Sequence, residues 1–427
     1  SSILFRSTRV RGYHSADRSV GGTVRADDVS GGGGRFSLRV LIAGGAGYVG
    51  SHIVREFRRI GHDVVVFDNY STGHGESVDG VEQVEGDLRD PRSLRSLFEN
   101  FAFEAVVHVG APRGERAKES ASYYLQVALG GALNLAHAML EAGVERLVYG
   151  STELVDRPGT LTTREDLIAF AHRSVEQAFD RIAGSQPLRW LALRHHEIGG
   201  ADLGGDIGED PRHSDRIVPQ ILRVALGLSR SFGVPSSSGA TWRRDFVHVT
   251  DVARGYVLAT ERLAALGDPL LVGERIDLAT GIEHDLEEVL TTARRATAPI
   301  EIPTHPIAAL APTRVVGDAS RARELLGWEP RFSDLASIVE SAWRWHRGHP
   351  SGFSVVDRTD DSAAGERFGA AAVRLGFATP GDVQKALDRQ AREEREGGGH
   401  KLIGLHMLEM GILSTSQLID ILKEYEE

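Results

Sequence analysis

The sequence predicts an α/β fold, a doubly wound parallel sheet of Rossmann type with a smaller substrate-side lobe, and three observations carry it. From Leu38 to about Gly348, short apolar runs alternate with stretches of helical period, which is the pattern of strands joined by crossover helices. The first run, Val40-Leu41-Ile42-Ala43, ends in a turn with glycines at 44, 47 and 50 that opens into an amphipathic pattern from about Tyr48 to Ile60. The second run, Val64-Val65-Val66-Phe67, ends at Asp68. Glycine permits a tight turn and close approach of backbone to a ligand. The helix that follows offers its first N–H groups to a pyrophosphate. An acidic residue about twenty positions further on suits the ribose hydroxyls of NAD and repels a 2′-phosphate, so NAD is expected in preference to NADP. Gly86-Asp87-Leu88 closes a third strand, where a carboxylate can meet the adenine.

Taken in order, residues 1–36 read as a basic arm rich in Gly, Ser and Arg, with Gly31 to Gly34 as a flexible link. An Arg/Ser-rich, acid-poor start also imitates an organelle presequence. The body, 37–348, holds predicted strands at Arg39–Ala43, Asp63–Phe67, Val81–Glu85, Ala105–Val109, Arg146–Tyr149 and Arg189–Leu193. Helical patterns over Ser120–Ala142 and Arg164–Ile182 lie between them. After Arg194 the regularity breaks, and the loop-rich Gly199–Asp215 and Pro235–Thr241 are assigned to the substrate-side lobe. Residues 349–363 read as a linker. The tail, 364–427, is expected to be an all-α tandem repeat with an offset of 35: Gly369 matches Gly404, Gly376 matches Gly411, Thr379 matches Ser414, Val383 matches Leu418 and Leu387 matches Leu422. Gly376 and Gly411 suit the position after a helix end, and Thr379 and Ser414 suit N-caps. Neither copy buries its apolar face alone, so Val373, Val383, Leu387, Met407, Leu418 and Leu422 are expected to share one small core.

Composition narrows the function classes. The 427 residues contain no cysteine, which excludes disulfides and thiolate chemistry. A net charge of −11 argues against nucleic-acid binding. No apolar run reaches the ~18 residues that span a bilayer, and a cytoplasmic protein is expected. No metal site is expected. Lys118, Lys385, Lys401 and Lys423 are the whole lysine complement.

Residues 38–348 closely resemble the extended short-chain dehydrogenase/reductases of the UDP-glucose 4-epimerase and NDP-sugar dehydratase branch. The motifs are Gly44-Gly45-Ala46-Gly47-Tyr48-Val49-Gly50-Ser51-His52, Phe67-Asp68-Asn69-Tyr70-Ser71-Thr72-Gly73, Gly86-Asp87-Leu88-Arg89-Asp90, Val107-His108-Val109-Gly110, Gly208-Glu209-Asp210-Pro211, the run from Arg244 to Ala253, and Leu326-Gly327-Trp328. The resemblance implies NAD held by Gly44, Gly47, Tyr48, Val49, Gly50, Asp68, Asn69, Ser71, Thr72, Gly73, Asp87, Leu88, Val109 and Gly110. It also implies a UDP-sugar between the lobes, with Arg244 on its phosphates.

The family's chemistry uses a Tyr-x-x-x-Lys pair on one helix and a Ser or Thr from the preceding strand end. The tyrosine moves the proton while the nicotinamide takes or gives a hydride, and the lysine lowers the tyrosine pKa. Val175-Glu176-Gln177 sets the register, which puts Ile168 at the tyrosine position and His172 at the lysine position. Thr152 keeps the Ser/Thr place. No lysine in the chain lies four residues after a tyrosine. The family's asparagine before the substrate loop is Glu197, and the asparagine of the long helix is Ala128. The second phosphate arginine has no counterpart in His305–Val316 beyond a displaced Arg314. The expectation is an NAD-binding, epimerase-like protein with impaired catalysis. It would serve as a structural or regulatory subunit of a larger assembly, with protein partners on the arm and tail. The alternative is an active nucleotide-sugar epimerase or dehydratase that uses His172, Glu153, Glu197 or the His195-His196 pair as acid–base groups.

The tail is similar to the amino-terminal domain of type II secretion and pilus ATPases, whose tandem motif binds cyclic di-GMP. The first copy supplies Arg367, Gly369, Gly376, Val383, Leu387 and Gln390. The second has Leu402 and Tyr425 where the arginine and glutamine fall. Arg367, Gly369 and Gln390 are the effector-binding candidates, and a protein-docking module is the reading preferred over cyclic di-GMP binding.

Overall fold

The structure, a computed structural model, describes residues 37–112, 120–156, 163–212, 214–235, 242–265, 271–307, 313–353, 372–373, 375–395, 403–414, 416–418 and 421. The chain divides into two compact units, residues 1–353 and 354–427.

The first unit is built on seven strands: β1 (Arg39–Ala43), β2 (Asp63–Asp68), β3 (Glu82–Glu85), β4 (Ala105–His108), β5 (Arg146–Thr152), β6 (Arg189–His195) and, past a short β7 (Glu197–Gly199), β8 (Phe232–Pro235) and β9 (Trp242–His248), the strand β10 (Glu274–Leu278). The sheet order is β10-β6-β5-β4-β1-β2-β3, and every pairing in it is parallel. Successive residues of a strand face opposite sides, and the cores divide accordingly. Val40, Ile42, Val64 and Val66 belong to one apolar cluster, while Leu41, Ala43, Val65 and Phe67 belong to the other. The first cluster is covered by α1 (Tyr48–Ile60) through Ile53, Val54 and Phe57, and by α6 (Val249–Ala264) through Val252, Tyr256 and Leu263. The second is covered by three helices. These are α2 (Pro91–Asn100); α3, made of Ala121–Leu125, a π-helical Gln126–Gly130 and Gly131–Glu141; and α4 (Arg164–Ala183). Helix α4 starts with a capping box, Thr163 and Asp166 each accepting the other's backbone N–H. Strands β5 and β6 run on to Thr152 and His195, past the ends expected from hydrophobicity, because the parallel register Ser151–Arg194 and Thr152–His195 continues through polar residues.

The second lobe gathers β7, β11 (Glu283–Asp285) and β13 (Thr313–Val315) around β9, and pairs β12 (Thr304–Ile307) with β8. Its core joins α5 (Ile217–Ala225), α7 (Leu286–Thr297) and α8 (Leu335–Gly348) through Ile221, Leu222, Val289, Leu290, Ile338 and Val339 around Phe246. Residues 349–353 pack onto this body instead of leaving it. Phe353 is buried with Ala201, Ile207 and Trp345, and its ring stacks on His74 at 4.8 Å.

The second unit contains α9 (Pro380–Arg395) and α10 (Ile403–Glu409). The repeat is visible in its turns. Gly376 and Gly411 both adopt positive φ, 72° and 69°. Phe377 N–H donates to the Ala372 carbonyl and Ile412 N–H to the Met407 carbonyl, each at 2.9 Å and 35 residues apart. The two copies share an apolar cluster. Val383, Leu387, Met407 and Leu418 are in it as expected, but its buried members are Ala372, Ala386, Ile403, Met407, Leu413 and Ile421, and Val373 is not among the packed residues. The arm, Arg367, Gly369, Leu402, Leu422 and Tyr425 lie outside the described residues, as does the Gln390 side chain.

Candidate functional site

Strand β1 has β2 on one side and β4 on the other, so the chain direction switches there and opens a crevice at the carboxyl ends of the strands. The glycine turn occupies that point. Gly44 has φ of +85°, and a Cβ on it would lie 2.4 Å from the Gly110 Cα, so β1 and β4 meet through two glycines. A Cβ on Gly50 would lie 2.1 Å from the Gly44 carbonyl oxygen. A Cβ on Gly47 would meet only that oxygen, at 3.5 Å. Helix α1 begins at Gly47 without any side-chain cap, leaving first-turn N–H groups for a ligand.

Asp68 lines the cleft and also supports the turn. Its carboxylate accepts from the Ala46 N–H at 2.9 Å and from the Tyr70 N–H at 2.8 Å, bracing the glycine turn from β2. The loop 69–73 packs back on the turn, since a Cβ on Gly73 would sit 2.9 Å from the Ala46 backbone, and His74 N–H donates to the Ala46 carbonyl. Asp87 is held by Arg89 through two bonds of 2.9 and 2.7 Å and by the Asn69 amide at 3.2 Å. Arg89 holds its carboxyl at about 2, well below the usual range, with the Asn69 amide adding to the effect. Asn69, Ser71, Thr72, Asp87, Leu88, Val109 and Gly110 all line the same cleft as the turn, about 840 Å³ in volume.

The opposite wall of that cleft comes from β5, α4 and the second lobe. Thr152 closes β5 and donates its hydroxyl to Glu153 at 2.8 Å. Ile168 and His172 lie one turn apart on α4 and both line the cleft. Ile168 packs with Tyr124, Ala128 and Ala171 in a small apolar cluster. Nδ1 of His172 is 2.7 Å from the Tyr149 hydroxyl. Burial pushes the Tyr149 phenol well above its ordinary pKa. Beside it, buried Glu176 accepts from Ser151 at 2.7 Å and from Arg194 at 3.1 and 2.8 Å.

From the second lobe come Glu197 at the start of β7, Glu209, Arg216, Trp242 and Arg244. Arg244 is buried and lies over the Trp242 ring at 5.0 Å. Arg216 pairs with Glu209 at 2.5 Å and covers the Tyr48 ring at 5.1 Å, while the Tyr48 hydroxyl donates to the Gly200 carbonyl at 2.7 Å. This Tyr48–Arg216–Glu209 cluster ties the glycine turn to the second lobe. The sequence showed its Glu209 only as part of a motif, and nothing in the spacing pairs it with Tyr48, which lies far away in the chain. Among the described residues, no three His, Asp or Glu side chains gather as a metal site, and no helix is long and apolar enough to cross a membrane.

An open parallel sheet with a glycine turn at its switch point, an uncapped helix start and a carboxylate closing the second strand defines a Rossmann-type dinucleotide-binding protein. Residues 40–273 match the NAD dependent epimerase/dehydratase family. The chain is 30% identical over 336 residues to the UDP-glucose 4-epimerase of Halalkalibacterium halodurans, covering 75% of this chain and 99% of that one. It is 33% identical over 334 residues to the enzyme of the same name from Lacticaseibacillus casei, covering 74% and 99%. The crystal structure of UDP-glucose-4-epimerase from Stenotrophomonas maltophila with bound NAD and formylated UDP-arabinopyranose is similar with a TM-score of 0.65 at 27% identity, covering 73% of this chain and 99% of that one. The chain belongs to the NAD dependent epimerase/dehydratase family. The residues at the switch point fit the family's cofactor: glycines where the backbone must come close, helix-start N–H groups without a side-chain cap, and the carboxylates Asp68 and Asp87 lining the same cleft.

Proposed function

We propose that the cleft holds NAD and a UDP-sugar, and that the chain is impaired as an epimerase and acts as a structural or regulatory subunit of a larger assembly. NAD, when bound, supplies a hydride acceptor and donor next to the sugar. The chain's own residues divide into two groups. Gly44, Gly47, Tyr48, Val49, Gly50, Asp68, Asn69, Ser71, Thr72, Gly73, Asp87, Leu88, Val109 and Gly110 bind and orient the dinucleotide. Thr152 remains of the proton-transfer group, and Arg244 is the arginine proposed to meet the sugar's diphosphate.

The observation that carries the impairment is the packing of Ile168. At the position where the family resemblance expects a tyrosine, the side chain is a hydrocarbon set among Tyr124, Ala128 and Ala171, and it holds no proton. One turn on, an imidazole engaged with the Tyr149 hydroxyl stands in place of a lysine ammonium. Tyr149 does not substitute, because its burial raises the phenol pKa, whereas proton transfer near neutral pH needs it lowered. A positioned general acid–base is worth on the order of 10²–10⁴ in rate. The subunit role is supported by the extra chain. The match spans 99% of the Halalkalibacterium relative but 75% of this chain, so the arm (1–36) and the tail (364–427) are additions to the enzyme-like body. They are the segments proposed to meet protein partners, and the tail is read as a docking module in preference to a cyclic di-GMP receptor.

A coupled assay for interconversion of UDP-glucose and UDP-galactose by the purified, NAD-loaded full chain tests the reading. Turnover far below the ~10 s⁻¹ typical of enzymes is expected, and turnover at that level overturns it.

A further inference from the structure

Among the described residues, Glu197 is an acid of the cleft with no hydrogen bond or ion pair. Glu197 opens β7, in register with Phe246 of β9, two residues beyond Arg244 on that strand. It lines the cleft and is half-buried. Two arginines face it, Arg216 from the start of α5 and Arg244 from β9, and two acids, Glu153 after β5 and Glu209 from the loop before α5. Each arginine also has contacts of its own. Arg216 pairs with Glu209 at 2.5 Å and covers Tyr48, and Arg244 lies over Trp242 and donates to the Arg243 carbonyl at 3.1 Å. Among the described residues no hydrogen bond or ion pair reaches the Glu197 carboxylate.

A carboxylate so placed has a cost without a ligand. Burial, then repulsion from Glu153 and Glu209, push Glu197 up to about 7 against the pull of the two arginines. A neutral sugar with a diphosphate makes this worse, since the phosphates add negative charge to the same space. An ammonium reverses it, satisfying the carboxylate and offsetting the repulsion from Glu153 and Glu209 at once.

We propose that the sugar end of this cleft selects a nucleotide sugar bearing a free amino group, whose ammonium pairs with the Glu197 carboxylate while the diphosphate meets Arg244. This rests on the reading of the cleft as a UDP-sugar site and names the class of sugar. It is a binding preference and requires no catalytic step.

The test is calorimetric titration of the NAD-loaded full chain, near neutral pH, with UDP, with UDP-glucose, and with UDP-sugars carrying a free amine at C2 or C4 beside their N-acetylated forms. The wild type is expected to bind at least one free-amine sugar on the order of tenfold or more tighter than its N-acetylated form. Glu197→Gln, which keeps shape and removes the charge, is expected to bring the two within about twofold, with its melting temperature confirming that it folds. Equal or tighter binding of the N-acetylated sugars or UDP-glucose by the wild type overturns the proposal, as does an amine preference that survives in Glu197→Gln. Failure of UDP itself to bind overturns the UDP-sugar reading and this inference with it, so the two failures are told apart.

Discussion

Replacing Asp68 with Asn separates the bracing of the glycine turn seen in the structure from the ribose contact proposed for this residue. The carboxylate accepts two backbone N–H groups, from Ala46 at 2.9 Å and Tyr70 at 2.8 Å, and it lines the cleft in which the ribose contact is proposed. An amide has one acceptor oxygen, so one of the two N–H donors must face an NH₂ group. Hydrogen bonds to a charged group contribute about 1.5–3 kcal/mol, and an unmet buried donor costs about 1–3 kcal/mol. If one such bond is expressed in the geometry of the glycine turn, NAD affinity falls by roughly 10- to 100-fold at ~1.4 kcal/mol per decade. The removal of negative charge acts selectively. NADP carries a 2′-phosphate that Asp68 repels, so Asp68→Asn should weaken NAD and strengthen NADP relative to it. Fluorescence or calorimetric titration of both cofactors against wild type and variant reads both effects, with melting curves to show that the variant folds. Equal or tighter NADP binding by the wild type, or a variant whose NAD affinity and cofactor ratio are both unchanged, refutes the assignment.

Three further outcomes follow from the same geometry. Gly50→Ala places a methyl group 2.1 Å from the Gly44 carbonyl oxygen, and the turn must open, so NAD binding should be lost in a titration that leaves wild-type binding intact. Ile168→Tyr combined with His172→Lys restores the family's pair and should raise epimerase turnover by ~10² or more over the wild type in the coupled assay, while a rate no higher than wild type would show that the rest of the site is unfit too. The third concerns acid. Burial lowers His52, His108, His248 and His346 to about 4. Their folded-state pKa values lie below the unfolded ~6.5, so the unfolded chain takes up protons first, and stability complete above about pH 6.5 is lost as pH falls towards 4. Each histidine contributes a slope of up to ~1.4 kcal/mol per pH unit in that window. Glu197, raised to about 7, works in the opposite direction and offsets about one of the four. Melting temperatures should therefore fall steeply between about pH 6.5 and 5, and a flat profile contradicts the burial of these rings.

The sheet was legible because its strands are apolar on both faces, and Val40 to Ala43 and Val64 to Phe67 advertise themselves by composition alone. The cofactor side was legible for a different reason: a Cβ on Gly44 would lie 2.4 Å from the Gly110 Cα, so the turn needs glycine there, and glycine shows in the sequence. The far wall was not. Which residues face Ile168, and that His172 and Tyr149 meet at 2.7 Å, depend on how α4 lies against β5, and no local pattern encodes that. The strand ends at Thr152 and His195 were missed because pairing there is held by register through polar residues. Asp68 was read as a ligand contact, and its bracing of Ala46 and Tyr70 is a consequence of turn geometry. In the tail, the 35-residue repeat predicted the two glycine turns, while the buried members of the cluster are Ala372, Ala386, Ile403, Leu413 and Ile421 beside the expected Met407.

The central claim is that this cleft binds the dinucleotide but lacks the group that takes a proton from the sugar hydroxyl. Hydride transfer from the carbon that bears that hydroxyl requires the hydroxyl proton to leave, so the two are read together by following the nicotinamide absorbance of the NAD-loaded full chain after mixing with saturating UDP-glucose. No reduction of the nicotinamide is expected on the seconds timescale in the wild type, and measurable reduction is expected in the Ile168→Tyr/His172→Lys variant. Rapid reduction in the wild type would contradict the claim and show that another residue of the cleft carries the proton.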